Sequence, residues 1–576
     1  MKTKIFSIIC SGLMACGLTS CSDFLNEQVP QGTLNDDQVK TAENAEAMVV
    51  SAYAIFTTAE DINSSFSMWN YDVRSDDAYK GGSGTSDGDV FHQLEIQKGV
   101  LTTNWNINDM WVRLYNCISR VNAAISLLEK SDDGFALKTE RLAEMKFLRA
   151  YAHFLLKRLY KHIPFVTNEN LTYDEYKQLS NREYDNDKGW QVIVNDLEEA
   201  YKVLPMNQAD KARPTKAAAA AFLAKVYLYK AYHQDDTNTN QVTSINQDDL
   251  KKVIEYTDPA LYRNYGLEND LHNNFRPEDN YENGKESIWA IQYSRNDGSV
   301  YGNLNWSYGL IPPNIPGATD GGCDFYKPSQ NLVNAYRTGA DGLPLLEKFN
   351  DRDYDKSLDN ADPRLFLTVG IPGLPYMFNK KYIMSETSVW SRSNGLYGYN
   401  VSLKQNVDPA LLNSYLIKGS YWASSMNRIV FRYADVLLER AEAYAQLGDT
   451  QNAISLINQI RTRAAGSTKM ISDYSNTYGV KMYITNYKGS YTKEQAVKMV
   501  KMERRLEMGM ECERFFDLVR WGDAATVLNK YYAMEIPHCA IYKDAKFESN
   551  KDEYLPIPFE QISASNGNYK QNIGNW

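Results

Sequence analysis

Long apolar runs are scarce in this 576-residue chain. The longest uncharged one, Ile5 to Leu18, falls short of the roughly 18 residues that a membrane-spanning helix needs. Cysteine is also scarce: seven in all, none spaced C-x-x-C. A disulfide scaffold or zinc ribbon is therefore excluded, and the fold must rest on a hydrophobic core, with room for one or two bridges at most. The six histidines, at 92, 153, 162, 233, 272 and 538, form no metal-ligand spacing. His153 falls within a helical stripe and reads as a packing residue. Positive charge is the minority, with 62 Lys and Arg against 72 Asp and Glu, net −10. An acidic surface repels phosphate backbones, so nucleic acid is not an expected partner.

Catalytic signatures are missing as well. There is no G-x-S-x-G elbow, P-loop or dinucleotide fingerprint. Gly81-Gly82-Ser83-Gly84 lacks the lysine and following helix of a phosphate cradle. Asp185-Asn186-Asp187-Lys188-Gly189 has a calcium-loop flavour, but its glycine comes one place early and no glutamate closes it. No metal or cofactor is expected, and the chain reads as a non-enzyme. A glycosidase needs only two carboxylates at a set separation, so 72 acids leave that alternative open.

What is present begins at the N-terminus. Lys2 and Lys4 precede the apolar run, which ends in Leu18-Thr19-Ser20-Cys21. A positive n-region, a short h-region and small residues before a cysteine make residues 1–20 a lipoprotein signal peptide, with Cys21 the lipid attachment site. Its removal deepens the net charge to −12. The membrane contact expected is thus a lipid anchor, each buried methylene contributing about 0.8 kcal/mol.

Helical periodicity follows. Trp111, Leu114, Tyr115 and Ile118 continue to Val121 and Ile125; Glu140 to Tyr160 carries Leu148, Tyr151, Leu155 and Leu159; Trp190, Val194, Leu197 and Tyr201 form a third stripe. Pro214 is placed like a first-turn proline before an Ala-rich helix, Thr215 to Tyr232. Near the C-terminus, Arg432 to Leu447 and Gln451 to Ala464 flank Gly448-Asp449. There Ala441, Tyr444, Gly448, Ala453 and Ile457 match the spacing of a tetratricopeptide helix pair. The other pairs match less closely, so the expected fold is mainly α, with degenerate tetratricopeptide-like helix-pair repeats. Between 234 and 431 Gly, Pro, Asn and aromatics replace the periodicity, and Ser287 to Ile291 reads as a strand. The expected organisation is a helical region over 21–233, a loop-rich insertion with short strands over 234–431, and a second helical region over 432–576. Long irregular blocks in compact proteins tend to be functional.

In order along the chain, several segments resemble the SusD/RagB family of outer-membrane lipoproteins. They include Trp111-x-x-Leu114-Tyr115-x-x-Ile118, Glu144 to Tyr151 before Pro164, and Arg213-Pro214-Thr215-Lys216-Ala217-Ala218. The strongest are Arg432-Tyr433-Ala434-Asp435-Val436-Leu437-Leu438-Glu439-Arg440-Ala441-Glu442-Ala443 and Asn458-x-x-Arg461-x-Arg463-Ala464. Glu503 to Glu507, Arg514 to Gly522 and Tyr554-Leu555-Pro556-Ile557-Pro558 complete the set. Cys512 departs from the pattern where a glycine is usual. The resemblance implies a cell-surface protein on the outer membrane that captures glycan and passes it to a SusC-like TonB-dependent transporter without cleaving it. Peptide or glycopeptide capture by the same architecture is an alternative. The charged residues of these signatures, Arg432, Glu439, Glu442, Arg504, Arg505, Glu507 and Asp517, are expected to form structural ion pairs.

A sugar site needs aromatic platforms for C–H faces and planar hydrogen-bonding groups for hydroxyls. Forty-one tyrosines and ten tryptophans supply many rings, most of them necessarily structural. Two stretches combine both needs. The first is Trp69, Tyr71, Arg74, Asp76 and Asp77, with Trp105 and Asn106 further on; the family resemblance adds weight to these early loops. The second runs from Tyr293 to Tyr308 and includes Arg295, Tyr301, Trp306 and Tyr308. A third, weaker group is Trp390, Tyr397 and Tyr399.

Overall fold

The computed structural model describes residues 40–57, 71–131, 134–234, 239–298, 302–418 and 422–576. Its framework is helical. The first half supplies α1 (Ala42–Ala54), α2 (Asp89–Ile96), α3 (Trp105–Lys130), α4 (Lys138–Tyr160), α5 (Asn186–Val203), α6 (Lys216–Ala231) and α7 (Gln247–Tyr256). The second supplies α8 (Tyr433–Leu447), α9 (Thr450–Gly466), α10 (Lys493–Met508), α11 (Arg514–Trp521) and α12 (Ala524–Glu535).

Local chemistry sets the ends of these helices. Asp185 caps α5 by accepting from Lys188 N–H at 2.8 Å, so the calcium-like segment is a helix start. Such caps contribute about 1 kcal/mol each. Thr215 caps α6, accepting from Ala218 N–H at 3.2 Å. Pro214 therefore precedes the cap rather than occupying the first turn. Gly448 ends α8 at φ +88°, a left-handed conformation that costs a side-chain-bearing residue, and Asp449 caps α9 directly after it. The buried stripe of α3 is the one read from sequence, Trp111, Leu114, Ile118, Val121 and Ile125. In α6, Ala217 to Ala221 are all buried, which lets neighbouring helices approach closely.

The helices pack in a continuous series. Each of α3 to α8 lies against the next, and α8, α9 and α10 contact one another. The contact of α7 with α8 carries the series past the long block between them. That block was expected to be irregular from residue 234, yet α7 lies near its start, its apolar side formed by buried Leu250, Val253 and Tyr256 with Ile254 beside them. The rest of the insertion is loops, short helices such as Gln330–Ala335 and Arg364–Thr368, and short strands, one of which pairs with a strand of the early loop: β1 (Ala78–Gly81, in that early loop), β2 (Ser287–Ile291), β3 (Asn305–Gly309), β4 (Phe325–Pro328), β5 (Trp422–Ser424) and β6 (Arg428–Arg432). Antiparallel pairing joins β1 to β4, β2 to β6 and β3 to β5, with Tyr79 opposite Lys327, Ala290 opposite Ile429 and Asn305 opposite Ser424. The glycine-rich loop after β1 wraps Lys80, whose ammonium donates to the carbonyls of Gly81, Gly84 and Asp87 at 2.7–3.0 Å.

Buried charge ties the insertion to the C-terminal helices. Arg364, Lys404, Arg432, Arg461 and Arg463 pair with Glu286, Asp362, Glu503, Glu507 and Glu511, five cations against five carboxylates. Arg432 alone reaches Glu286, Glu507 and Glu511 at 2.7–2.8 Å. A second group joins Arg504 to Asp435 and Asp517, and Arg520 to Glu442. Glu439 lies 3.6 Å from Lys225. The signature charges are thus structural pairs, which is what burial of ions demands. His153 is a packing residue too. Burial, then Arg149, pushes its imidazole down to about 3, and its Nε2 accepts from Val166 N–H.

Candidate functional site

The early loop lies beneath the surface. Tyr71, Arg74, Asp76 and Asp77 are all buried. Arg505, on α10, donates to Asp77 at 2.7 Å and lies 3.1 Å from Asp76; Arg514, on α11, binds Asp76 through two nitrogens. Burial opposes ionisation of Asp76, but Arg505 and Arg514 outweigh it and hold its carboxyl below the usual range. The Arg74 guanidinium rests on the Phe515 ring at 4.0 Å and donates to Asp552 O at 2.7 Å; burial lowers it to about 10. These four side chains anchor the loop to the C-terminal helices, and as placed they present no surface to a solvent-borne sugar.

The other expected residues are placed differently. Trp105 starts α3, is 49% exposed and meets Phe91 edge-on at 5.6 Å, whereas its neighbour Asn106 is buried. Arg295 is half-buried and donates to Asn413 O. Trp306 is half-buried in β3, the strand that also contains Tyr308. Of the third group, Tyr397 is buried and Trp390 packs on Tyr376 at 6.2 Å. Cys21, Trp69 and Tyr301 lie outside the described residues. Within the second stretch, Asn303 donates to Thr57 Oγ1, just beyond the end of α1, at 2.6 Å.

Between α4, α6 and the strands β3, β5 and β6 lies a cavity of about 130 Å³. Tyr151, Phe154 and Arg158 of α4 form one wall, and Met426 to Arg432 form another. Asn305, Ser424 and Asn427 add polar groups, and the segment from Glu511 to Glu513 closes the end. Cys512 is a buried thiol there, raised to about 11 by burial, and is one of four free cysteines among the described residues. Its backbone adopts φ +67°. Asn427 is held by its neighbours: its amide N–H donates to Gln292, its carbonyl accepts from Tyr293 N–H, and its backbone N–H donates to Glu282 at 2.7 Å. Burial pushes the Glu282 carboxyl up to about 7.

Most charge around this cavity is already paired. Arg158 meets Glu513; Lys225 meets Asp435 and Glu513; Lys404 and Arg432 meet Glu511. No group of His, Cys, Asp and Glu among the described residues is arranged to hold a metal ion. The arrangement is a recess with aromatic, amide and charged walls, suited to holding a polar ligand.

Comparison with known proteins assigns the scaffold. Residues 285–576 match the SusD family, and residues 23–228 match a family described as starch-binding, associating with the outer membrane. This chain belongs to the SusD family. A SusD-like protein of Formosa agariphila is 27% identical over 538 residues, covering 92% of this chain and 93% of the relative. One from Bacteroides ovatus is 24% identical, covering 90% and 83%. Among solved structures, a SusD homolog from Bacteroides thetaiotaomicron superposes with a TM-score of 0.69 at 18% identity, over 94% of this chain and 99% of that one. A laminarin-binding SusD-like protein gives 0.65 at 22% identity, over 93% and 100%. Surface glycan-binding protein A from Bacteroides thetaiotaomicron, solved with laminarihexaose, gives 0.60 at 21%, over 92% and 99%. At these identities the structural likeness establishes the SusD fold. No helix among the described residues is long and apolar enough to cross a membrane.

Proposed function

We propose that this SusD-family protein captures glycan at the cell surface and delivers it, uncleaved, to a SusC-like TonB-dependent transporter in the outer membrane. The carrying observation is that both parts of the chain match the family, one of them through a description that names starch binding and the outer membrane. Solved structures of the same fold are named for laminarin or surface-glycan binding. Cys21 is the proposed anchor, and the transporter is the proposed partner.

The cavity and its mouth form the proposed binding region. Trp306, half-buried in β3 beside the cavity-lining Asn305, is the proposed stacking platform. Trp105 is a second exposed ring for a longer chain. The test is a glycan array probed with residues 22–576, followed by assay of retained glycans for new reducing ends. Retention without product is expected. A blank array, or chain cleavage, would refute capture without catalysis. Co-purification with a SusC-like TonB-dependent barrel from the same cells tests delivery.

A further inference from the structure

Of the five cations that line the central cavity, four are paired with carboxylates: Arg158, Lys225, Lys404 and Arg432. The fifth is Arg428 at the start of β6; its backbone pairs with Ile291 of β2, but its guanidinium has no ion pair or hydrogen bond among the described residues. Its titratable neighbours are the thiol of Cys512 and the phenols of Tyr151, Tyr71 and Tyr293, all uncharged near neutral pH. Nor do the acids of the lining offset it. Asp435 is shared by Lys225 and Arg504, Glu511 by Arg432 and Lys404, and Glu513 by Arg158 and Lys225. Five cations and three carboxylates line the recess, and Glu286 and Glu507 behind the lining also serve Arg432, which leaves Arg428 as the lining cation without a carboxylate in a protein of net charge −10.

A guanidinium kept below the surface without a partner is costly, and proteins retain such groups where an incoming ligand supplies the missing charge. Arginine's planar fork also favours oxyanions, which it can bind through two parallel hydrogen bonds. Size limits what can enter. A cavity of about 130 Å³ is several times the roughly 10–15 Å³ that admits one water. It accepts a substituent and adjoining ring atoms, not an oligosaccharide.

We infer that, given the glycan-capture reading above, the preferred ligand is an acidic glycan whose oxyanion substituent, a uronate carboxylate or sulfate ester, enters the cavity and pairs with Arg428. The phenols and amides of the walls then contact the sugar ring, while the rest of the chain lies outside.

The test titrates the protein and its Arg428→Gln and Arg428→Lys variants by calorimetry. Ligands are an oligogalacturonide, its carboxyl-reduced derivative, a sulfated galactan oligosaccharide and its desulfated form. At least one acidic ligand is expected to bind the wild type tenfold or more tightly than its neutral derivative, a difference of about 1.4 kcal/mol. Arg428→Gln should abolish that preference and Arg428→Lys should keep part of it. The acidic arm that shows the preference identifies carboxylate or sulfate. Thermal unfolding of Arg428→Gln should stay at or above the wild-type midpoint, because an uncompensated charge has been removed. Equal binding of acidic and neutral glycans, or a lowered midpoint marking Arg428 as structural, would overturn the inference and leave glycan capture standing. Failure of the wild type to bind any of these ligands, or any glycan on the array, would remove both.

Discussion

Replacing Arg432 with methionine should destabilise the protein by about 3–5 kcal/mol, the usual cost of removing one partner from a buried ion pair. Its guanidinium is 2% exposed and holds three carboxylates, Glu286, Glu507 and Glu511. Methionine fills much of the volume but leaves the buried network with five carboxylates and four cations. Unfolding entropy runs at about 2.1 cal/mol/K per residue, or roughly 1.2 kcal/mol/K for a chain of this size. The expected fall in Tm is therefore about 3–4 °C by calorimetry. Adding Glu511→Gln restores charge balance, since Lys404 still donates to Glu507 O at 2.9 Å. The double variant should then recover part of the loss, with a coupling of about 1–3 kcal/mol. A single-variant shift below 1 °C, or strictly additive losses, would refute the view that this network depends on its charge balance.

Three further outcomes are expected. Burial raises the Glu442 carboxyl, but Arg520 outweighs burial and lowers it to about 2. Its contribution, about 3 kcal/mol, is full above the unfolded value near 4.5 and is lost as pH falls toward 2; urea titrations at pH 5 and pH 2.5 should show this slope, reduced in Glu442→Gln. Glu282 is shifted the other way, to about 7 by burial, so it favours the folded state below pH 4.5 and loses that contribution as pH rises through 7. Glu282→Gln should therefore raise stability at pH 8 by up to about 3 kcal/mol and flatten the profile between pH 4 and 8. Trp306→Ala should weaken glycan binding at least tenfold, about 1.4 kcal/mol, with Tm nearly unchanged; wild-type affinity in both Trp306→Ala and Trp105→Ala would reject the platform assignment.

The helical scaffold was legible because its signals are local. The stripe of α3 and the Gly448 turn need only neighbouring residues to be recognised. Helix α7 was missed because four apolar residues in a polar ten-residue segment do not stand out until α6 and α8 cover them. In the early loop, Arg74, Asp76 and Asp77 looked like sugar-binding groups because their chemistry fits that role. Their burial depends on Arg505, Arg514, Asp552 and Phe515, more than 400 positions away in the chain. Arg428 attracted no notice, being one basic residue on a short strand.

Sequence alone determined the helix-pair scaffold and the family, since both are written in spacings of three or four residues and in ordered short motifs. Only the tertiary structure decided which charges are neutralised. Coulomb pairing depends on distance through space, and folding gave carboxylates to Arg432, Arg505 and Arg514 while leaving Arg428 facing a cavity.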